Sequence, residues 1–481
     1  MKEKPNWVHI IGICGVVTSG LAVMFKYEGS KVTGSDKGFF PPISKFLEKY
    51  DIPIGIGYKA NRLTDEDGKH PELVIIQGLK SDKNIEYQEA KRLGLTIKTF
   101  PEILAEYVIA DESIVVAGTY GKTTISAVLV DIMKNANIDI SYMYGGLNVN
   151  MDQTIMAKKD NTRFSIVEGD EYMTSLKDNS SKFFHYKTKY LILHSCQWEH
   201  PDMFPTEQSY VENFRNYVRK IPNDGFIVAN ANDKNVVDVV KDSSCRVIYY
   251  SANKLNAFAL PDWYLEKSSK PLPTFIRFKD DPSNLEIIPY ERKIIGEFNE
   301  ENFLAGSVMA YELGVKKEYI QDTISEFKGI KRRLEIKIQS DQFLIIDDFG
   351  SSPPKANGSL QALRSDYPDS KIIAIFESNT GNRTEASIPT YKDAFKLADE
   401  IIFPRFTILP SIDKKRFNAE ELIEYLKPFY DNITYVGDDD VLVNLLVKEI
   451  ELGEAVHKVI VFMGSHGFRG MIEKLNTYFS I

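Results

Sequence analysis

The residues able to do chemistry begin at Gly118-Thr119-Tyr120-Gly121-Lys122-Thr123-Thr124. Glycines let backbone N–H groups approach phosphate oxygens. A lysine at a helix start adds a point charge, and the next threonine offers a hydroxyl to Mg2+. The full G-x-x-x-x-G-K-[ST] pattern is not met, because Val116 stands where its first glycine belongs. A tight strand-to-helix turn with an exposed lysine is therefore the alternative. The second candidate is Glu168-Gly169-Asp170-Glu171, with three carboxylates in four residues. Such a cluster is costly in apolar surroundings unless a cation neutralises it, and alone it reads as a solvated acidic turn. His200 is either a metal ligand or a hydrogen-bonded structural histidine. Asp36 ends a strand after a glycine turn, where a carboxylate holds a ribose hydroxyl. Asn299 either contacts a ligand or caps a helix.

Apolar runs deliver these residues. Ile114–Ala117 reads as a buried strand, and Ile125, Val128, Leu129 and Ile132 follow at helical spacing. Ile166-Val167 leads into Glu168, Tyr190–Leu193 into His194 and His200, and Phe343–Ile346 into Asp347-Asp348. Nearer the start, Trp7–Ile13, a turn with Gly15, a helix over Leu21–Tyr27 and Lys31–Asp36 form a βαβ opening. Its glycine spacing is imperfect, so an ordinary βα turn of a doubly wound domain is the alternative to a nucleotide site. Residues 251–292 hold five prolines and read as an irregular or β-rich insertion. Lys371–Phe376, Glu400–Phe403 and Val459–Met463 are strands of a last α/β region.

A chain of 481 residues exceeds one ordinary core. The composition, 43% hydrophobic and 26% charged, is that of a soluble globular protein. A net charge of −9 argues against a general nucleic-acid or membrane-surface binder. Cys14, Cys196 and Cys245 show no metal spacing and no disulfide framework, which suits a reducing cytoplasm. No stretch is long and apolar enough to span a bilayer.

In their order the motifs resemble the ATP-dependent Mur ligase family of peptidoglycan synthesis. They are Gly118-Thr119-x-Gly121-Lys122-Thr123-Thr124, Glu168-x-Asp170-Glu171, Glu199-His200, Asn299-x-x-Asn302, Arg332-Arg333 and Asp347-Asp348. The resemblance covers essentially the whole chain. It implies an α/β protein of three domains: a Rossmann-like UDP-sugar domain at 1–107, a central P-loop ATPase-like domain at 108–333 and a Rossmann-like domain at 334–481. The segments His9–Gly15 and Val32–Asp36 resemble the branch that takes UDP-N-acetylmuramate itself. That branch has two activities, addition of L-alanine and recycling of the tripeptide L-Ala-γ-D-Glu-meso-diaminopimelate. Phe40-Pro41-Pro42, Glu168–Tyr172, Ser181-Lys182-Phe183 and Ser378-Asn379-Thr380 look more like the recycling enzyme.

The resemblance implies that the lactyl carboxylate attacks the γ-phosphorus of ATP and that the amine then displaces phosphate. Gly118, Thr119, Gly121, Lys122, Thr123 and Thr124 would cradle the phosphates. Thr123 and Glu168 would hold one Mg2+ between the phosphates, and His200 would help hold a second. Asn299 and Asn302 would contact adenine or its surroundings. Arg333 and Asp348 would reach the phosphates and ribose. Gly12, Gly15, Ser19 and Asp36 would line the UDP site, and Asn379 and Arg383 would serve the amine. Lys122, Glu168, His200 and Arg333 would be the catalytic set. Tyr120, Phe298 and Ser351 stand where the family has histidine, and a histidine returned to position 351 is expected to be tolerated. A UDP-sugar-binding pseudoenzyme is the reading of another class; retention of the metal and phosphate residues argues against it.

Overall fold

The computed structural model describes residues 4–39, 43–76, 83–149, 153–175, 178–200, 203–267, 274–278, 288–290, 292–379, 383–407, 416–452 and 456–479. Three α/β sheets follow one another along the chain. Two of them lie in one compact unit, Met1–Lys293 with Asn299–Lys328; the third lies in a second unit, Ile294–Phe298 with Gly329–Ile481.

The first sheet contains β1 (Trp7–Ile11), β2 (Lys31–Asp36), β3 (Ile54–Ile56), β4 (Leu73–Ile76) and β5 (Ile97–Thr99). All its pairings are parallel, in the order β3-β2-β1-β4-β5. The order reverses at β1, so the turn after β1 opens at a switch point, where ligands of open α/β sheets bind. The helix after this turn begins at Val16, earlier than the apolar spacing indicates, and runs to Tyr27. Its first turn carries Thr18 and Ser19, whose hydroxyls donate to backbone carbonyls of the turn and helix.

The central sheet has ten strands: β6 (Glu112–Ala117), β7 (Ile140–Met143), β8 (Ile155–Met156), β9 (Phe164–Gly169), β10 (Tyr190–Leu193), β11 (Phe226–Asn230), β12 (Arg246–Ser251), β13 (Trp263–Lys267), β14 (Thr274–Phe278) and β15 (Ile288–Tyr290). Their order is β15-β14-β13-β12-β11-β10-β6-β9-β7-β8. From β12 to β7 the strands are parallel, and most of their residues are buried, as helix-covered apolar runs must be. The proline-rich stretch is β-rich: β13, β14 and β15 form an antiparallel extension at one edge. One apolar core continues from the first sheet into the central one, joining Val8, Ile10 and Leu21 to Val115, Ala117 and Val167.

The third sheet holds β16 (Glu335–Gln339), β17 (Phe343–Asp348), β18 (Lys371–Glu377), β19 (Glu400–Pro404), β20 (Ile433–Val436) and β21 (Lys458–Gly464). The order is β16-β17-β21-β18-β19-β20, parallel except for β16 against β17. Ile295 packs in this unit's core with Leu334, Ile346 and Phe376. Among the described residues, no helix is long and apolar enough to cross a membrane.

Candidate active site

Strand β6 is central to the site. It pairs with β9 on one side, placing Val116 beside Glu168, and with β10 on the other, placing Ala117 beside Leu193. The segments after β6, β9 and β10 therefore emerge at one edge of the sheet. After β6 comes the glycine turn, and then helix Lys122–Asn135. Gly118 has φ +134 and Gly121 φ +78. A Cβ on Gly118 would lie 2.8 Å from the Ser195 nitrogen, and one on Gly121 2.5 Å from Asn302 Oδ1. Both positions thus require glycine for conformation and for space.

The turn is pinned to the segment after β10. Thr119 and Tyr120 donate their backbone N–H groups to the Ser195 carbonyl and hydroxyl. The Thr119 hydroxyl donates to the Gln197 carbonyl at 2.7 Å, accepts from the Gln197 N–H at 2.9 Å and lies 2.9 Å from the buried Tyr210 hydroxyl.

The three carboxylates after β9 have separate partners. Glu168 accepts from the Thr123 hydroxyl at 3.0 Å and from the Gly145 N–H at 2.6 Å. Asp170 accepts from the buried Lys182 ammonium at 2.5 Å. Glu171, 1% exposed, accepts from the Lys122 ammonium at 2.9 Å and lies 3.6 Å from His200 Nε2. Glu171, Glu199 and His200 each offer a ligand atom, all within 4.8 Å of one another. His200 takes φ +58 and meets the edge of Tyr172.

Burial raises the Glu171 carboxyl's pKa, but Lys122 and His200 overcome that and hold it below its ordinary value. Burial also opposes the Lys122 charge, yet Glu171 and Glu168 keep the ammonium above its usual range. The hydrogen bond to Glu171 raises His200. The donor chemistry is thus of two kinds: hydroxyl and carboxylate at Thr123–Glu168, and carboxylate and imidazole at Glu171–Glu199–His200. The first suits Mg2+, and the second also accepts softer divalent ions.

Asn299 and Asn302 are both buried, and Asn302 Nδ2 donates to Asn299 Oδ1 at 3.0 Å. Among the described residues, Asn302 Oδ1 has no hydrogen-bond partner, and it faces Gly121. A buried acceptor left open beside the turn is a place where a ligand donor belongs. Next to it is a cluster the sequence did not flag. His194 Nδ1 bonds the Tyr250 hydroxyl at 2.6 Å, and its Nε2 lies 3.7 Å from Glu301. Asn230 joins them, donating to the His194 carbonyl and to Glu301. Burial pushes the Glu301 carboxyl up to about 7 and the His194 imidazole down to about 4. Glu301 lies in the opening turn of a helix, where an acidic residue reads as ordinary dipole complement.

In the first sheet, Gly12 has φ +83, and its N–H donates to the Ser35 carbonyl. The Asp36 carboxylate accepts from Cys14 N–H at 2.9 Å, so the Gly12–Gly15 turn and Asp36 do converge. Ser19 is 1% exposed and donates to the Val16 carbonyl, behind the turn.

In the second unit, Arg333 is exposed, whereas Arg332 is buried against Asp347 and three carbonyls of residues 464–466. Asp348 is buried and accepts from the N–H groups of Leu334 and Gly350 and from the Ser359 hydroxyl. Ser351 is 2% exposed and accepts from Asn379. Arg383 is not an open guanidinium: it is 4% exposed, donates to the Thr407 carbonyl and stacks over Phe406. Phe40-Pro41-Pro42 and Thr380 lie outside the described residues.

Three family models match successive stretches: "Mur ligase family, catalytic domain" over residues 7–111, "Mur ligase middle domain" over 116–310 and "Mur ligase, glutamate ligase domain" over 332–466. The chain is 30% identical to a UDP-N-acetylmuramate–L-alanine ligase of Caldanaerobacter subterraneus, over 94% of each chain. It is 28% identical, over 97% of each, to the Escherichia coli ligase of UDP-N-acetylmuramate and L-alanyl-γ-D-glutamyl-meso-2,6-diaminoheptandioate. A murein peptide ligase structure from Psychrobacter arcticus is similar at TM-score 0.70 and 25% identity, covering 98% of both chains. The fold of the Thermotoga maritima UDP-N-acetylmuramate–alanine ligase matches at TM-score 0.74 and 20% identity, covering 98% of this chain and 99% of that one.

Proposed function

The chain belongs to the Mur ligase family of ATP-dependent amide-bond ligases, and on that premise we propose that it recycles a cell-wall peptide. In this reading the chain joins the lactyl carboxylate of UDP-N-acetylmuramate to the amine of L-Ala-γ-D-Glu-meso-diaminopimelate, in the cytoplasm. The observation that carries the ligase chemistry is the convergence of Lys122, Thr123, Glu168, Glu171 and His200 at one sheet edge.

The residues fit ATP and Mg2+. The glycine turn leaves no room for side chains, and the open Asn302 oxygen awaits a donor such as the exocyclic amine of adenine. Thr123 and Glu168 would hold one Mg2+ and His200 would help hold a second, each neutralising phosphate charge when bound. Lys122 adds its charge at the phosphates, and Asn299 holds Asn302 in place. Catalysis of this type is chiefly positioning and charge neutralisation. The rigid links of Thr119 to Gln197 and Tyr210 serve that positioning by fixing the turn against the His200 segment. Arg333 and Asp348 would serve the nucleotide, the former by charge and the latter by bracing Leu334 and Gly350. Gly12, Gly15 and Asp36 would receive the UDP moiety, with Ser19 packed behind them. Asn379 would face the amine, and Arg383 would position that loop through Thr407.

The L-alanine ligase named among the relatives supports a second reading, in which L-alanine is the amine. ATP hydrolysis measured with UDP-N-acetylmuramate and each amine tests the proposal. Phosphate release should require both the sugar nucleotide and the tripeptide. Release without any amine would contradict ligation.

A further inference from the structure

We propose that Lys122 and a divalent cation compete for Glu171, so that the nucleotide-free protein holds its phosphate-binding lysine latched. The inference rests on Gly118–Thr124 being the ATP cradle.

An ammonium has three N–H donors. Among the described residues Lys122 has three acceptors within reach: the Gly118 carbonyl at 2.5 Å, the Thr119 carbonyl at 3.2 Å and Glu171 Oε2 at 2.9 Å. The side chain therefore folds back across its own turn, with no donor left for a phosphate. The two carbonyls belong to the turn itself. Glu171 is the partner that can be exchanged.

Glu171 also has reason to exchange. Its carboxylate is 1% exposed, so a cation rather than water must balance it. The neighbouring carboxylates are committed elsewhere, Asp170 to Lys182 and Glu168 to Thr123 and Gly145. The other Glu171 oxygen faces His200, and Glu199 completes a donor group small enough for one ion. An ammonium and a divalent ion on the same carboxylate repel each other. A cation captured by Glu171, Glu199 and His200 thus releases Lys122. Conversely, a phosphate that draws Lys122 away leaves Glu171 open to the cation. Metal and nucleotide then load together, each binding more weakly alone, and the coupling is reciprocal.

The test uses Mn2+ and the full-length, nucleotide-free protein, with free Mn2+ read by electron paramagnetic resonance. Lys122→Met removes the competitor and keeps the carboxylate. It should bind Mn2+ about tenfold or more tighter than wild type, the factor set by one lost charge-assisted hydrogen bond. Binding no tighter than wild type, in a variant with unchanged thermal unfolding, overturns the proposal. A second measurement keeps the wild-type chain. With lysine side chains labelled at Cε, and the Lys122 signal assigned by its loss in Lys122→Arg, saturating Mg2+ alone should shift that signal. An unmoved signal also overturns the latch. Neither measurement involves ligation, so failure of the latch and failure of the ligase assignment are seen separately.

Discussion

Replacing Thr119 by valine keeps the shape of the side chain and removes one hydroxyl. That hydroxyl is fully used, donating to the Gln197 carbonyl and accepting from the Gln197 N–H and the Tyr210 hydroxyl. The exposed Gln197 recovers water for its two backbone groups, so those bonds cost little, about 0.5 kcal/mol each. Tyr210 has no exposed surface, and its hydroxyl would be left unpaired, at about 1–3 kcal/mol. The expected loss for Thr119→Val is therefore about 2–4 kcal/mol. Urea unfolding followed by Trp198 fluorescence reads it, since Trp198 lies in the pinned segment and donates to the Phe204 carbonyl. Adding Tyr210→Phe removes the orphaned group, so the double variant should recover about 1–2 kcal/mol. Affinity for a non-hydrolysable ATP analogue should fall in Thr119→Val, because the turn is no longer fixed. A loss under about 0.5 kcal/mol with no coupling to Tyr210 would refute the claim that this hydroxyl holds the turn.

Three further outcomes are expected. Lys122→Ala should abolish ligation while the far-ultraviolet circular dichroism stays that of wild type; near-normal turnover at saturating ATP would remove Lys122 from the mechanism. Burial raises the Glu301 carboxyl from 4.5 to about 7, so the folded state holds its proton more tightly than the unfolded state. The stability this contributes is present in acid and is lost as pH rises from about 4.5 through 7. Glu301→Gln, neutral throughout, should therefore gain on wild type by on the order of 3 kcal/mol between pH 4.5 and 8, and urea midpoints that differ equally at both pH values contradict this. Ser351→His should destabilise the second unit by about 1–3 kcal/mol through overpacking, since Ser351 is almost fully buried; unchanged unfolding would show that the site has spare volume.

That last expectation reverses the one drawn from sequence, and the reason is general to this protein. The apolar runs Ile114–Ala117, Tyr190–Leu193 and Phe343–Ile346 do fall on β6, β10 and β17, because a parallel strand buried on both faces has a plain sequence signal; the equally buried β7 and β11 are not read from it. The glycine turn was legible for the same local reason. Which carboxylate does what was not. Glu168, Asp170 and Glu171 are equivalent in sequence, and Lys182, on a turn that no periodic pattern marks, separates them by taking Asp170. Likewise, no local pattern shows that β9 and β10 flank β6 on opposite sides, although that adjacency brings Glu168 and His200 to the turn. Tyr210 comes from a helix whose spacing reads only as core. At Arg332-Arg333, Arg332 has φ +60, and a turn of that kind decides which guanidinium is buried. Burial of Ser351 and Arg383 is likewise a property of packing across the third sheet, beyond what a loop sequence discloses.

The central claim is the choice of amine, and competition tests it most directly. The protein, ATP, Mg2+ and UDP-N-acetylmuramate are mixed with equimolar L-alanine and L-Ala-γ-D-Glu-meso-diaminopimelate, and the products are separated by mass. The tripeptide adduct should predominate from the earliest time points. Efficient formation of the L-alanine adduct with no tripeptide adduct would contradict the account and leave L-alanine addition as the activity.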